Sequence, residues 1–336
     1  MRGKVLCAAV LATGLILAGG CGSEGPSETI QAVYAHNDDM ALGAIQALEA
    51  AGMNPGKDVL LISIDAVPDG LQAMTKGTLN ATVECNPLLG PAAFDAVAKV
   101  LKGESLPKKL VVKDRLFDQS TPADVIEAKK ASFAAGETAP AAGTPAAEAL
   151  TVGFSQIGAE SAWRTAETKS VCDEAAKRGI DLKFSDAQQK QENQIKAIRS
   201  FIAQKVQAIV LAPVVETGWE PVLREAQRAK IPVVLVDRGV KVSDESLYAT
   251  LIASDFIEEG RMAGEWLAKK MNGKGNIVQL EGTPGSAPAI DRKKGFEEAI
   301  AKYPGMKVIK SQSGDFTRAK GKEVMEAFIK AQGRTN

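Results

Sequence analysis

The chain has a single histidine, His36, among 336 residues. That scarcity excludes a histidine-rich metal site, and it excludes a Ser-His-Asp triad anywhere away from His36. An excess of one charge is also missing. The 41 basic residues meet 41 acidic ones, a formal net charge of +0, so bulk charge draws this protein to no nucleic acid. Aromatics make up only 5% of the chain against 45% hydrophobic residues overall, which leaves Ala, Val, Ile and Leu to build the layers of an α/β fold. Cysteine is sparse too. Past the first 21 residues only Cys85 and Cys172 remain, neither in a CxxC, and a buried thiol is the expected state of each. Nothing in this composition calls for a cofactor or a metal.

What is present begins with an export signal. Arg2 and Lys4 give a basic start, residues 5–17 form an apolar run, and Ala18, Gly19 and Gly20 precede Cys21. The run is shorter than a bilayer-spanning helix needs. The pattern over 1–21 resembles a bacterial lipoprotein signal, with Cys21 as the lipidated residue and 22–28 as a flexible tether. The remaining length holds two domains with proper cores.

Beyond residue 29, short apolar β-branched runs alternate with amphipathic helical patterns. Strands are expected at 32–35, 59–64, 79–84, 110–113, 150–155, 182–184, 208–212, 233–236, 247–253, 276–281 and 307–311. Most runs are continuous rather than alternating, as in sheets covered on both faces. Ile195, Ile198, Phe201, Ile202 and Val206 make one helical stripe; Phe256, Ile257, Gly260, Ala263, Trp266 and Leu267 make another. Repeated βα units imply parallel sheets with right-handed crossovers, and ligands in such sheets bind beyond the carboxyl ends of the strands. Between 131 and 149 an Ala/Pro/Gly/Thr stretch reads as a linker.

Those strand ends carry the candidate chemistry. Gln156, Glu160, Trp163 and Arg164 follow one strand; Asp237 and Arg238 follow another. Asn37, Asp65 and Phe316 stand after three more, and Arg292 opens the helix behind the turn 282–285. Carboxylates accept from hydroxyls, guanidinium groups donate in a fixed fork, and aromatic faces cover C–H faces, which together suit a polyhydroxylated ligand. Each motif also has a plainer reading. Asn37 can cap the helix starting near Met40, Asp237 and Arg238 can form a structural ion pair, and Arg292 with its neighbouring lysines can be a solvated face. Trp219 and Trp266 read as packing residues. The turn 282–285 lacks the Lys-Ser/Thr of a P-loop.

LTVGFSQIGAESAWRTAE, IPVVLVDR, AIDRKKGFEEAI, SQSGDFTRAKGKEVMEAFIKA, VYAHNDDMALGAIQAL and SIDAVPDG together resemble the ribose/galactose-type solute-binding proteins of ABC importers. Against that family the order is rotated, because the stretch beginning AVYAHNDD should follow EAFIKA. The resemblance implies two doubly wound α/β lobes with a hinge and an interlobe cleft, circularly permuted. The second lobe would comprise 29–84 and 256–336, and the first lobe 85–130 and 150–255, with 131–149 joining the ancestral termini. It further implies ligand contacts from Glu160, Trp163, Arg164, Asp237 and Arg238 in the first lobe and from Arg292, Phe316, Asn37 and Asp65 in the second. Glu84 would stand at a polar hinge position and Gln156 beside the ligand. Ala66 departs from the pattern, since glycine commonly follows the aspartate.

The expected function is therefore non-enzymatic: an extracytoplasmic, membrane-anchored monomer binding a monosaccharide, a furanose such as galactofuranose, for an inner-membrane ABC permease. A sugar sensor with the same fold is the first alternative. A glycoside-processing enzyme using Asp65, Glu84 and Asp237 is the second. A transcription factor is excluded by the export signal and the lack of a helix-turn-helix.

Overall fold

The computed structural model describes residues 29–135 and 150–332. The export signal, Cys21, the tether and most of the expected linker lie outside these residues. The strands in chain order are β1 (Ala32–Ala35), β2 (Leu60–Asp65), β3 (Ala81–Glu84), β4 (Lys109–Val112), β5 (Leu116–Asp118), β6 (Thr151–Gln156), β7 (Asp181–Asp186), β8 (Ala208–Leu211), β9 (Val233–Val236), β10 (Thr250–Ser254), β11 (Lys274–Glu281) and β12 (Gly305–Ser313). The helices are α1 (Asp38–Ala50), α2 (Pro68–Lys76), α3 (Gly90–Leu101), α4 (Ala123–Ala135), α5 (Ala162–Lys177), α6 (Gln191–Ala203), α7 (Glu220–Arg228), α8 (Phe256–Lys270), α9 (Ala287–Ile300) and α10 (Arg318–Lys330).

These elements build two six-stranded sheets, ordered β12-β11-β1-β2-β3-β5 and β4-β10-β9-β8-β6-β7. The central strands AVYA, AIVL and VVLV are buried at every position, as parallel strands with helices on both faces must be. Hydrophobic clusters lie on the faces of each sheet: Met40, Leu61, Phe117 and Phe328 in the second lobe, and Ile198, Trp219, Leu223 and Leu235 in the first. Trp219 and Trp266 are both buried packing residues, as expected.

Among the described residues the chain crosses between the lobes three times, after β3 into α3, between β4 and β5, and at Asp255 between β10 and α8; α4 of the second lobe and β6 of the first flank residues 136–149. Cys85 of the first crossing lies 3.6 Å from Ser254 Oγ at the third. The two ends of the described chain meet in the second lobe, where Ile30 N–H donates to Gln332 Oε1 at 3.0 Å.

Several expectations are corrected. The segment 85–130 does not stay in the first lobe. Leu116–Asp118 pairs antiparallel with β3 in the second-lobe sheet, and Phe117 fills that core at full burial. A three-residue antiparallel edge strand has no periodicity long enough to read. The linker starts later than 131, because residues 131–135 form the last turn of α4, which buries Phe133. The strand expected from 247 begins at Thr250, after a single 3₁₀ turn at Glu245–Leu247. Cys172 is half-buried rather than buried, and both it and Cys85 are free thiols.

Candidate functional site

Four helix starts around the cleft are set by side-chain caps. Asn37, Ser161, Asp255 and Thr317 each accept a backbone N–H of the first turn of α1, α5, α8 and α10. These caps fix the loops that leave the carboxyl ends of the strands. A small cavity lies between the lobes where those loops converge. Asn37, Asp65, Glu160, Trp163, Arg164, Asp237, Arg238, Arg292 and Phe316 all line it. Cys85, Ser161 and Pro288 line it as well.

The first-lobe wall is a charge network. Arg164 donates through Nη2 to Asp237 at 2.6 Å and through Nε to Glu160 at 3.2 Å, and its Nη1 meets Glu167. Burial would lower the Arg164 pKa, but Asp237, Glu167 and Glu160 outweigh it and hold the guanidinium well above its usual value. Arg238 is held more loosely. It donates to Val214 O at 3.0 Å, while the nearest carboxylate oxygens, of Asp237 and Glu160, stand 3.6 and 3.9 Å away. Burial, then repulsion from Arg164, pulls Arg238 down to about 10. Glu160 Oε2 and Arg238 Nε are buried without any hydrogen-bond partner, a costly state for polar groups in a protein interior.

On the second-lobe wall Arg292 donates to His36 O at 2.6 Å and to Glu259 at 2.7 Å, and approaches Asp65 at 3.6 Å. Burial raises Asp65 well above the usual carboxylate range, with Arg292 offsetting part of the effect. His36 is fully buried and held far below its ordinary pKa, first by burial and then by Arg292. It is neutral at pH 7, and its ring nitrogens meet Gly282 N–H at 3.3 Å and the Gln279 side-chain amide at 2.8 Å. Phe316 sits between the walls, its ring 5.2 Å from the Arg238 guanidinium and 5.9 Å from that of Arg292. Gly282 makes room for that ring, since a Cβ there would stand 1.9 Å from Phe316 Cζ.

Asp65, Asp237 and Phe316 all have positive φ, at 124°, 61° and 60°. Strained backbone of this kind clusters at ligand sites. Ala66, where the sequence departs from the family pattern, adopts the left-handed conformation at φ 54° that glycine takes most readily.

Two expected residues lie elsewhere. Glu84 does not line the cavity; Lys129 and Arg115 bind its carboxylate at 2.6 and 3.3 Å near the hinge. Gln156 is fully buried behind the first-lobe wall, donating to Glu167 and Thr168. Asn37 caps α1 through Oδ1, donates through Nδ2 to Phe316 O at 3.0 Å, and lines the cavity. Asp237 and Arg238 form only a long ion pair, at 3.6 Å, while Arg164 holds Asp237 at 2.6 Å. Among the residues missed, Glu259 carried a signal: a carboxylate on the apolar stripe of α8, beside Phe256, Gly260 and Ala263, has to be paired once buried. No group of three or more His, Cys, Asp or Glu is placed to hold a metal ion among the described residues.

The periplasmic binding protein domain family matches residues 22–105 and 152–335. The galactofuranose-binding protein YtfQ of Escherichia coli is 64% identical over 184 residues, 54% of this chain and 58% of that protein. The periplasmic component of the arabinose ABC transporter from Shewanella sp. ANA-3, solved with α- and β-L-arabinofuranose, is 66% identical with a TM-score of 0.54, over 55% of this chain and 61% of that one. A solved galactofuranose-binding protein is 63% identical with a TM-score of 0.55, over 55% and 63% of the two chains. This chain thus spans about three fifths of each of these three relatives.

Proposed function

We propose, since the chain belongs to the periplasmic binding protein domain family, that it binds one monosaccharide in the cavity between its lobes and releases it unchanged. The observation that carries this reading is the pair of unpartnered buried atoms, Glu160 Oε2 and Arg238 Nε, on residues that line one cavity with Trp163 and Phe316. A hydroxylated ring supplies what they lack: O–H to the carboxylate, a lone pair to the guanidinium, and C–H faces to the aromatics. Charge-assisted hydrogen bonds of this kind contribute about 1.5–3 kcal/mol each. The relatives known to bind arabinofuranose and galactofuranose support a furanose. The same relatives support an extracytoplasmic location and delivery to an ABC permease. A lipid anchor at Cys21 rests on the sequence alone. The enzyme reading has less support, because Glu84 is tied to Lys129 and Asp237 to Arg164.

Circular permutation is part of the same proposal. Traced from Leu150, through residue 332 and on from residue 29, the first five strands met in each sheet take the order 2-1-3-4-5. The meeting of Ile30 with Gln332 supports the same tracing. Isothermal titration calorimetry against pentoses and hexoses tests the function. One-to-one binding of an arabinose- or galactose-type sugar without turnover is expected, and a folded sample that binds none of them would refute it.

A further inference from the structure

Three arginines around a small cavity ordinarily make an anion site, because the guanidinium fork matches carboxylate and phosphate. Here the lining already holds three carboxylates, Asp65, Glu160 and Asp237, against Arg164, Arg238 and Arg292. Two further carboxylates stand directly behind two of those arginines, one in each lobe. Glu167 lies one helical turn after Arg164 on α5, is fully buried, and meets Arg164 Nη1. Glu259 lies on α8 just past the crossing at Asp255, is fully buried, and accepts from Arg292 Nε at 2.7 Å. Each leaves its second oxygen, Oε1, without a hydrogen-bond partner.

An arginine does not need a buried charge to hold it in place. His36 O and Val214 O already serve Arg292 and Arg238 as neutral acceptors, and burying a carboxylate is expensive. Burial accordingly pushes the pKa of both Glu167 and Glu259 upward. When ionised, these two bring the carboxylates around the three guanidinium groups from three to five.

We propose that Glu167 and Glu259 determine ligand charge: they orient Arg164 and Arg292 through one N–H each, and their charge cancels the guanidinium field so that the cavity takes an uncharged sugar and rejects its carboxylate analogue. The inference rests on the cavity being the sugar site. The guanidinium groups then act as hydroxyl donors and not as an anion trap.

The test compares Glu167→Gln, Glu259→Gln and the double variant with the wild type, using D-galactose, L-arabinose and D-galacturonate as calorimetric ligands. Glutamine keeps the shape and an oxygen acceptor for the arginine while removing the charge. The wild type should bind a neutral sugar at least about 100-fold more tightly than galacturonate. Each single variant should shift that ratio toward galacturonate by at least about tenfold, and the double variant by more. A neutral-to-anionic ratio unchanged within about twofold, with only a loss of melting temperature, would overturn the proposal and leave both carboxylates as supports of the fold. Should one variant fail to fold, the other decides by the same ratio. Wild type that binds neither neutral sugar would instead refute the sugar site itself, and this inference with it.

Discussion

Arg238 and Arg292 line one cavity and are buried alike, yet their surroundings assign them different costs on removal. Arg238 makes one hydrogen bond, to Val214 O, and only long contacts to carboxylates. Its replacement by alanine should weaken sugar binding by about tenfold or more while leaving the melting temperature of the ligand-free protein nearly unchanged. Arg292 is the close partner of fully buried Glu259. Arg292→Ala should lose affinity and also destabilise the ligand-free protein, by about 3–5 kcal/mol, because it strands a buried carboxylate. Calorimetry paired with thermal melts separates the two. Equal melts for both variants would show that Glu259 is satisfied without Arg292.

At the scale of elements, the contact that spans the cleft is a helix cap borrowed from the opposite lobe. Ser161 caps α5 locally, but the N–H of Ala162 donates to Asp39 Oδ2 at 2.9 Å, and Asp39 begins α1 in the second lobe. Arg318 of α10 holds Asp39 from the other side at 2.9 Å. A second bridge runs from Glu216 N–H to Gly285 O at 2.9 Å. A carboxylate at a helix N-terminus is favourable, and separation of the lobes would break this one. Asp39→Ala should therefore raise the apparent Kd about fivefold, the equivalent of about 1 kcal/mol for a lost cap, although Asp39 does not line the cavity. Stopped-flow binding should place the change in sugar release. An unchanged affinity would mean that the contact forms equally in the open state.

For the molecule as a whole, the order of the chain and the order of the fold disagree. β1 lies between β11 and β2, so the second-lobe sheet joins strands from both ends of the chain. α1 packs on α10 so closely that a Cβ on Gly43 would stand 2.2 Å from Arg318 O. Limited proteolysis between 136 and 149 should therefore give two fragments that co-elute on gel filtration and bind sugar with affinity within about threefold of the intact chain. Separate fragments without binding would show that this segment does more than reconnect the two halves.

The sequence by itself determined the α/β class, most strand positions and nine cavity residues, because continuous β-branched runs and polar strand ends are local signals. It could not place β5, whose three residues are held by β3 and by the burial of Phe117. It put Glu84 and Gln156 beside the ligand, whereas packing turns one to Lys129 and the other to Glu167. It left Asp237 and Arg238 as a possible pair, and only the folded wall shows Arg164 as the closer partner of Asp237, with Glu167 on its other nitrogen. A residue's type and spacing fix what chemistry it can offer and which edge of a sheet it reaches. Which partner takes up each buried charge depends on distances of a few ångströms between segments far apart in the chain, and those the tertiary structure alone decides.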